Sequence, residues 1–136
     1  MNADDSLATF GTRPNEHDKE CVRKLLKQQI LQEKGDQGSG DVELMKLCCT
    51  QLFNNASIDD IFLIWSAKTS SMDADCTIDV QFLCWAGVGA TKKLLYDFGG
   101  AEALSALSRL QSCEMAGDFE KFEPSVFFAQ QENYWS

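Results

Sequence analysis

The 136-residue chain has one histidine and two prolines, and its 12 basic side chains are outnumbered by 21 acidic ones. The lone histidine, His17, leaves no second imidazole for a histidine-rich metal centre, and no C-x-x-C pair accompanies it. His17 and Cys21 stand one helical turn apart, which is half of a metal site at most. No apolar run approaches the roughly 18 residues of a bilayer-spanning helix. The opening MNADDSLATFGTRP carries two early acids and no apolar core, unlike a secretory leader, so a cytoplasmic location is expected.

Catalytic signatures are missing as well. A phosphate loop takes G-x-x-x-x-G-K-[ST], and Gly87-Val88-Gly89-Ala90-Thr91-Lys92-Lys93 lacks the second glycine before lysine. A dinucleotide fingerprint takes Gly or Ala at its sixth position, where Lys92 stands. Asp73, Asp75, Thr77 and Asp79 imitate the alternating ligands of a calcium loop. Ile78 and Cys84, however, occupy the places that need glycine and glutamate. The segment therefore reads as a solvated acidic turn. The expectation is a protein that is not an enzyme, with no catalytic residue, no cofactor and no metal. Four of the six cysteines lie in apolar periodic segments, which suggests buried free thiols rather than disulfides.

What is present is acid and apolar periodicity. The formal net charge is −9, and 44% of residues are hydrophobic, a globular composition. Residues 1–40 hold seven acids and six bases, so the excess belongs to residues 41–136, with fourteen acids and six bases. Such a surface repels nucleic acid and anionic membranes and favours a basic protein partner.

Residues 1–14 read as a flexible arm ending at Pro14, and residues 15–136 as one helical domain. Asn15 is a helix cap for an amphipathic segment with Cys21, Val22, Leu25, Leu26 and Ile30 on one face and Gly35 as its stop. Residues 35–40, GDQGSG, form a glycine-rich linker or long turn. Asp41 caps the next helix, with Leu44, Met45, Leu47, Cys48, Cys49, Leu52 and Phe53 making a wide core face, ended by Asn54 and Asn55. Farther on, Leu94, Leu95 and Phe98 share a helical side, and Ala103, Leu104, Leu107 and Leu110 fall at helical spacing before Gly117. The ring-rich tail, with Phe119, Phe122, Val126, Phe127 and Phe128, should dock on the body.

The centre of the chain, Ser57–Gly87, repeats a pattern after twenty residues. Ser57-Ile58-Asp59, Phe62, Leu63 and Trp65 fall on Thr77-Ile78-Asp79, Phe82, Leu83 and Trp85. The shared [ST]-I-D-x-x-F-L-x-W predicts two capped core helices lying side by side. The fold class expected is therefore all-α, a compact bundle or a short repeat-like array of six to seven helices. The alternative is α/β, with residues 61–65 and 80–85 as central strands.

The function expected is a non-enzymatic acidic domain that binds a basic protein. Small bacterial immunity proteins and inhibitors of toxins or nucleases have this general character, an analogy of class rather than of motif. One contact face is assigned to Asp59, Asp60, Asp73, Asp75 and Asp79, and another to Glu114, Asp118, Glu120 and Glu123. The alternatives are a small enzyme with a carboxylate or cysteine site, and a helical adaptor that binds a peptide in an apolar groove.

Overall fold

The computed structural model describes residues 1–136 as an all-helical bundle without a strand. Its eight α-helices are α1 Ala3–Phe10, α2 Glu16–Gly35, α3 Val42–Phe53, α4 Ile58–Lys68, α5 Met72–Thr77, α6 Val88–Phe98, α7 Ala101–Met115 and α8 Pro124–Trp135. A 3-10 turn, Val80–Leu83, precedes α6. The α/β alternative fails, because residues 61–65 lie inside α4 and the 3-10 turn occupies most of residues 80–85.

Short polar side chains start α2, α3 and α4 where the sequence expects them. Asn15, Asp41 and Ser57 each accept a hydrogen bond from the backbone N–H three residues on, satisfying a donor the helix itself leaves free. The α3 face is buried as expected, from Leu44 through Phe53, and forms the floor of a core shared by 27 residues. Asn55 leaves α3 at φ 57°, the left-handed geometry that Asn tolerates.

The structure refines four local expectations. Residues 1–14, expected as a flexible arm, hold α1. Asn2 and Asp5 form a reciprocal capping box that starts α1, and the buried Ser6 exchanges hydrogen bonds with Gln51 of α3. Of the linker and the long turn expected at residues 35–40, the structure has the turn, which lays α2 back against α3. There the buried Glu33 carboxylate accepts from the Gly38 and Gly40 amides at 2.9 and 3.1 Å, and its second oxygen from the Ser71 hydroxyl at 2.6 Å. A Cβ on Gly40 would stand 2.8 Å from the Gln29 carbonyl oxygen, so only glycine fits this close approach. On α6 only Leu95 is buried of the expected Leu94, Leu95 and Phe98, because α7 covers one side of the helix alone; in α7 itself Leu104 is exposed.

The fourth expectation concerns the repeat. Its first copy is α4, but its second is not an α-helix. Thr77 is the last residue of α5, and Asp79 precedes the 3-10 turn without making a side-chain cap. Ile78, Val80, Phe82, Leu83 and Cys84 are all buried. An α-helix at that place would turn some of them outward, whereas the tight irregular turn sinks them together among α3 and α4.

The tail docks as expected. Phe127 and Phe128 of α8 pack on Phe53, with ring centroids 5.4 and 6.1 Å away. Arg13 and Thr12 then bind Glu132, fastening α8 to the segment after α1.

Candidate functional site

The five acids assigned to one face are separated by the structure. Asp59 and Asp60 begin α4, whereas Asp73, Asp75 and Asp79 cluster beyond its far end, where Lys68 of α4 meets Asp75. The ten-residue rise of α4 puts about 15 Å between the two groups.

Two of the five are engaged within the fold, Asp60 buried and Asp75 half-buried. Asp60 is 2% exposed and holds both arms of the helix start: its carboxylate accepts from the Ser57 amide and takes a two-pronged ion pair from Arg23 of α2. Burial raises the Asp60 pKa, but the bonds from Arg23 and Ser57 more than reverse this and leave it below the ordinary value. Asp75 accepts from both guanidinium nitrogens of Arg109 at 2.9 and 3.1 Å and from the buried Lys68 ammonium at 2.8 Å. The Arg109 bonds come first in lowering its pKa, with Lys68 adding to them against the cost of burial. Lys68 also donates to the Asp75 and Ile78 carbonyls, and Arg109 lies 5.5 Å from the centre of the Trp65 ring. Asp75 is thus a pin joining α4, α5 and α7. The calcium-like spacing ends in a short helix rather than a loop, and Asp59, Asp73 and Asp79 are left exposed.

The second set fares differently. Glu114, Asp118, Glu120 and Glu123 are all exposed, at the end of α7 and in the turns leading to α8. Glu114 and Glu120 border an open hollow of about 460 Å³ whose apolar lining is Val88, Phe119 and Phe122. Asp118, Glu120 and Glu123 border a neighbouring hollow of about 200 Å³ floored by Phe122, Val126 and Phe127. The Phe119 and Phe122 rings meet edge to face at 5.3 Å, and Gln81 donates to the Asp118 carbonyl at 2.9 Å, which places the 3-10 turn beside this segment. Asp79, two residues before Gln81, is the member of the first set nearest to it in the chain.

Cations barely offset these acids. Lys92 pairs with Glu114 at 2.7 Å, and Lys121 is the only base from Glu114 to Glu123. Lys121 has φ 56°, a left-handed conformation costly for a side chain of this kind, and Gly117 turns at φ 92°. Both bends help fold the segment so that its rings face inward and its carboxylates outward. Exposed Val126 completes an apolar centre with an acidic rim.

Four of the six thiols are held away from the thiolate form. Burial pushes Cys48 and Cys84 up to about 12 and Cys49 well above the ordinary range. Cys113 is raised as well, first by burial and then by its hydrogen bond to Asp118. His17 and Cys21 are exposed on α2, and no three His, Cys, Asp or Glu side chains are grouped to hold a metal ion. No helix is long and apolar enough to cross a membrane.

Sequence reasoning missed a second feature. Between α2 and α4 runs an open groove of about 640 Å³ bordered by Glu20, Arg23, Lys27, Asp59, Phe62 and Leu63. It continues into an apolar hollow of about 320 Å³ between Lys27 and Lys34. The exposed Leu31 was the available signal, since it stands outside the apolar face of α2. No family model matches the chain, and comparison with curated proteins and with solved structures finds no match either.

Proposed function

We propose that this protein is a non-enzymatic binding domain whose acidic segment, residues 114–123 with Asp79 beside it, captures a basic protein. The observation that carries the reading is the arrangement there: exposed carboxylates with little internal cation, set around shallow hollows lined by Phe119, Phe122 and Val126. An apolar centre rimmed by charge is the anatomy of a protein-binding patch. The net charge of −9 adds long-range attraction and speeds capture of a cationic target. A basic toxin or nuclease is the partner class such a face suits, which gives the protein an immunity or inhibitor role. Six unpaired cysteines fit a reducing, cytoplasmic setting. Asp60 and Asp75 have no part in this contact, since Arg23, Lys68 and Arg109 occupy them.

Capture from an extract of the native cell tests the reading, with a salt gradient for elution. The captured protein should be basic and should leave at moderate salt. It should also be lost from a variant combining Glu114→Gln, Asp118→Asn, Glu120→Gln and Glu123→Gln, whose melting temperature stays close to the parent's. Undiminished capture by that variant would sink the proposal.

A further inference from the structure

One part of the surface has the opposite sign from the rest. From Cys21 to Gln32 the chain contains no acid, while Arg23, Lys24 and Lys27 lie within that stretch and Lys34 just beyond it. Arg23 is engaged by Asp60 and Glu20. Lys24 and Lys27 have no carboxylate within reach, and Lys34 donates only to the Ser66 hydroxyl, at 3.1 Å. Lys27 and Lys34 bracket the smaller hollow between α2 and α4, whose floor is Ile30, Leu31 and Leu63. Leu31 is 73% exposed. Through Leu63 the floor reaches Phe62, whose ring meets that of the exposed Phe98 at 4.9 Å. An apolar strip therefore crosses α2, α4 and α6, with free ammonium groups at one end and Asp59 at the other.

We propose that the α2–α4 groove seats an acidic amphipathic helix of a partner protein, with its apolar face on Leu31, Leu63 and Phe62 and its carboxylates on Lys27 and Lys34. Charge complementarity selects this occupant. Two ammonium groups seven residues apart on one helix lie about 10 Å from each other along its axis. That separation matches carboxylates two turns apart on a facing helix, and the apolar positions between them then fall on the floor. A nucleic acid would find two cations beside leucine and phenylalanine in a molecule of charge −9, a poor match. The bundle has no sheet edge to receive an extended strand. The partner is opposite in charge to the one assigned to residues 114–123, so the two surfaces can be occupied together.

The probe is a synthetic helical peptide with leucine at i, i+3 and i+4 spacing and glutamate seven residues apart. It is titrated into the isotope-labelled full chain and followed by amide NMR, beside a control peptide carrying lysine for glutamate. The acidic peptide should move amides of residues 26–34 and 61–66 selectively. Lys27→Glu with Lys34→Glu should weaken it at least tenfold and give preference to the lysine peptide. Both lysines are exposed, so the double variant keeps its fold, checked by its circular dichroism melt. Unmoved amides at millimolar peptide would overturn the proposal, as would equal binding to the double variant. The same amides moving with protein concentration alone would overturn it too, by giving the groove to a second copy of this chain.

Discussion

The two copies of [ST]-I-D-x-x-F-L-x-W have the same pattern of capping and apolar residues and fold differently. Ser57–Trp65 begins with a reciprocal capping box and runs as α4, whereas Thr77–Trp85 ends one helix and continues as a 3-10 turn. The difference lies in the residues that the pattern leaves open. The third helical position is Asp60 in the first copy, so a carboxylate reaches back to the Ser57 amide and out to Arg23. In the second copy that position is Val80, which cannot close the box and is buried instead. Upstream, Ser71 caps α5 and makes Thr77 the end of an existing helix. A cap is decided by a pair of residues, and by whether the preceding chain has left the first of them free.

The comparison breaks most sharply at Asp60. Asp60→Val gives the first copy the residue of the second. It removes the box and the buried partner of Arg23, which keeps only the exposed Glu16 and Glu20, and should destabilise the protein by about 3 kcal/mol in urea unfolding. The reverse change, Val80→Asp, should not create a second α4. It places a carboxylate where the side chain is 6% exposed and should cost about 2–3 kcal/mol, with no gain in helical circular dichroism.

Next comes the pin beyond α4. Asp75→Asn leaves Lys68 and Arg109 without their anion and should cost about 1–3 kcal/mol at neutral pH. Its pH dependence has a definite sign. The Asp75 and Asp60 carboxyls have folded pKa values below the unfolded ones, so their stabilisation is complete above the ordinary carboxylate range, around pH 5 and higher, and is lost as pH falls through the folded values. Acid unfolding monitored below about pH 5 should therefore be shallower in Asp75→Asn than in the parent; an identical slope would refute the pin. The smallest effect is at Trp85, whose indole donates to the Ala56 carbonyl at 2.7 Å and ties the second copy to the start of the first. Trp85→Phe keeps the ring and loses that bond, and should lower stability by about 1 kcal/mol.

The acids show why part of the site was readable and part was not. Glu114, Asp118, Glu120 and Glu123 are close in sequence, so their sharing of one surface follows from local geometry around Gly117 and Pro124. Asp59, Asp60, Asp73, Asp75 and Asp79 are spread over twice that length, and the partners of Asp60 and Asp75 are not local. Arg23 is 37 residues from Asp60, and Arg109 is 34 residues from Asp75. Those guanidinium groups bury Asp60 and tie up the half-buried Asp75, and α4 separates the rest. The α2–α4 groove was hidden for the same reason, since it lies between two helices joined by bonds from Arg23 to Asp60 and from Lys34 to Ser66, far apart in the chain.

The sequence by itself determined that the chain is all-helical, where α2, α3 and α4 start, which face of α3 is core and that the body is acidic. These properties rest on capping side chains, a 3.6-residue apolar period and formal charge, all of which act within a few residues or need no geometry at all. Tertiary structure alone decided that residues 3–10 fold and that GDQGSG is a fixed turn. It also decided which acids stay in solvent. In each case a residue far along the chain supplies the other half of the interaction: Gln51 for Ser6, Ser71 for Glu33, Arg23 for Asp60 and Arg109 for Asp75.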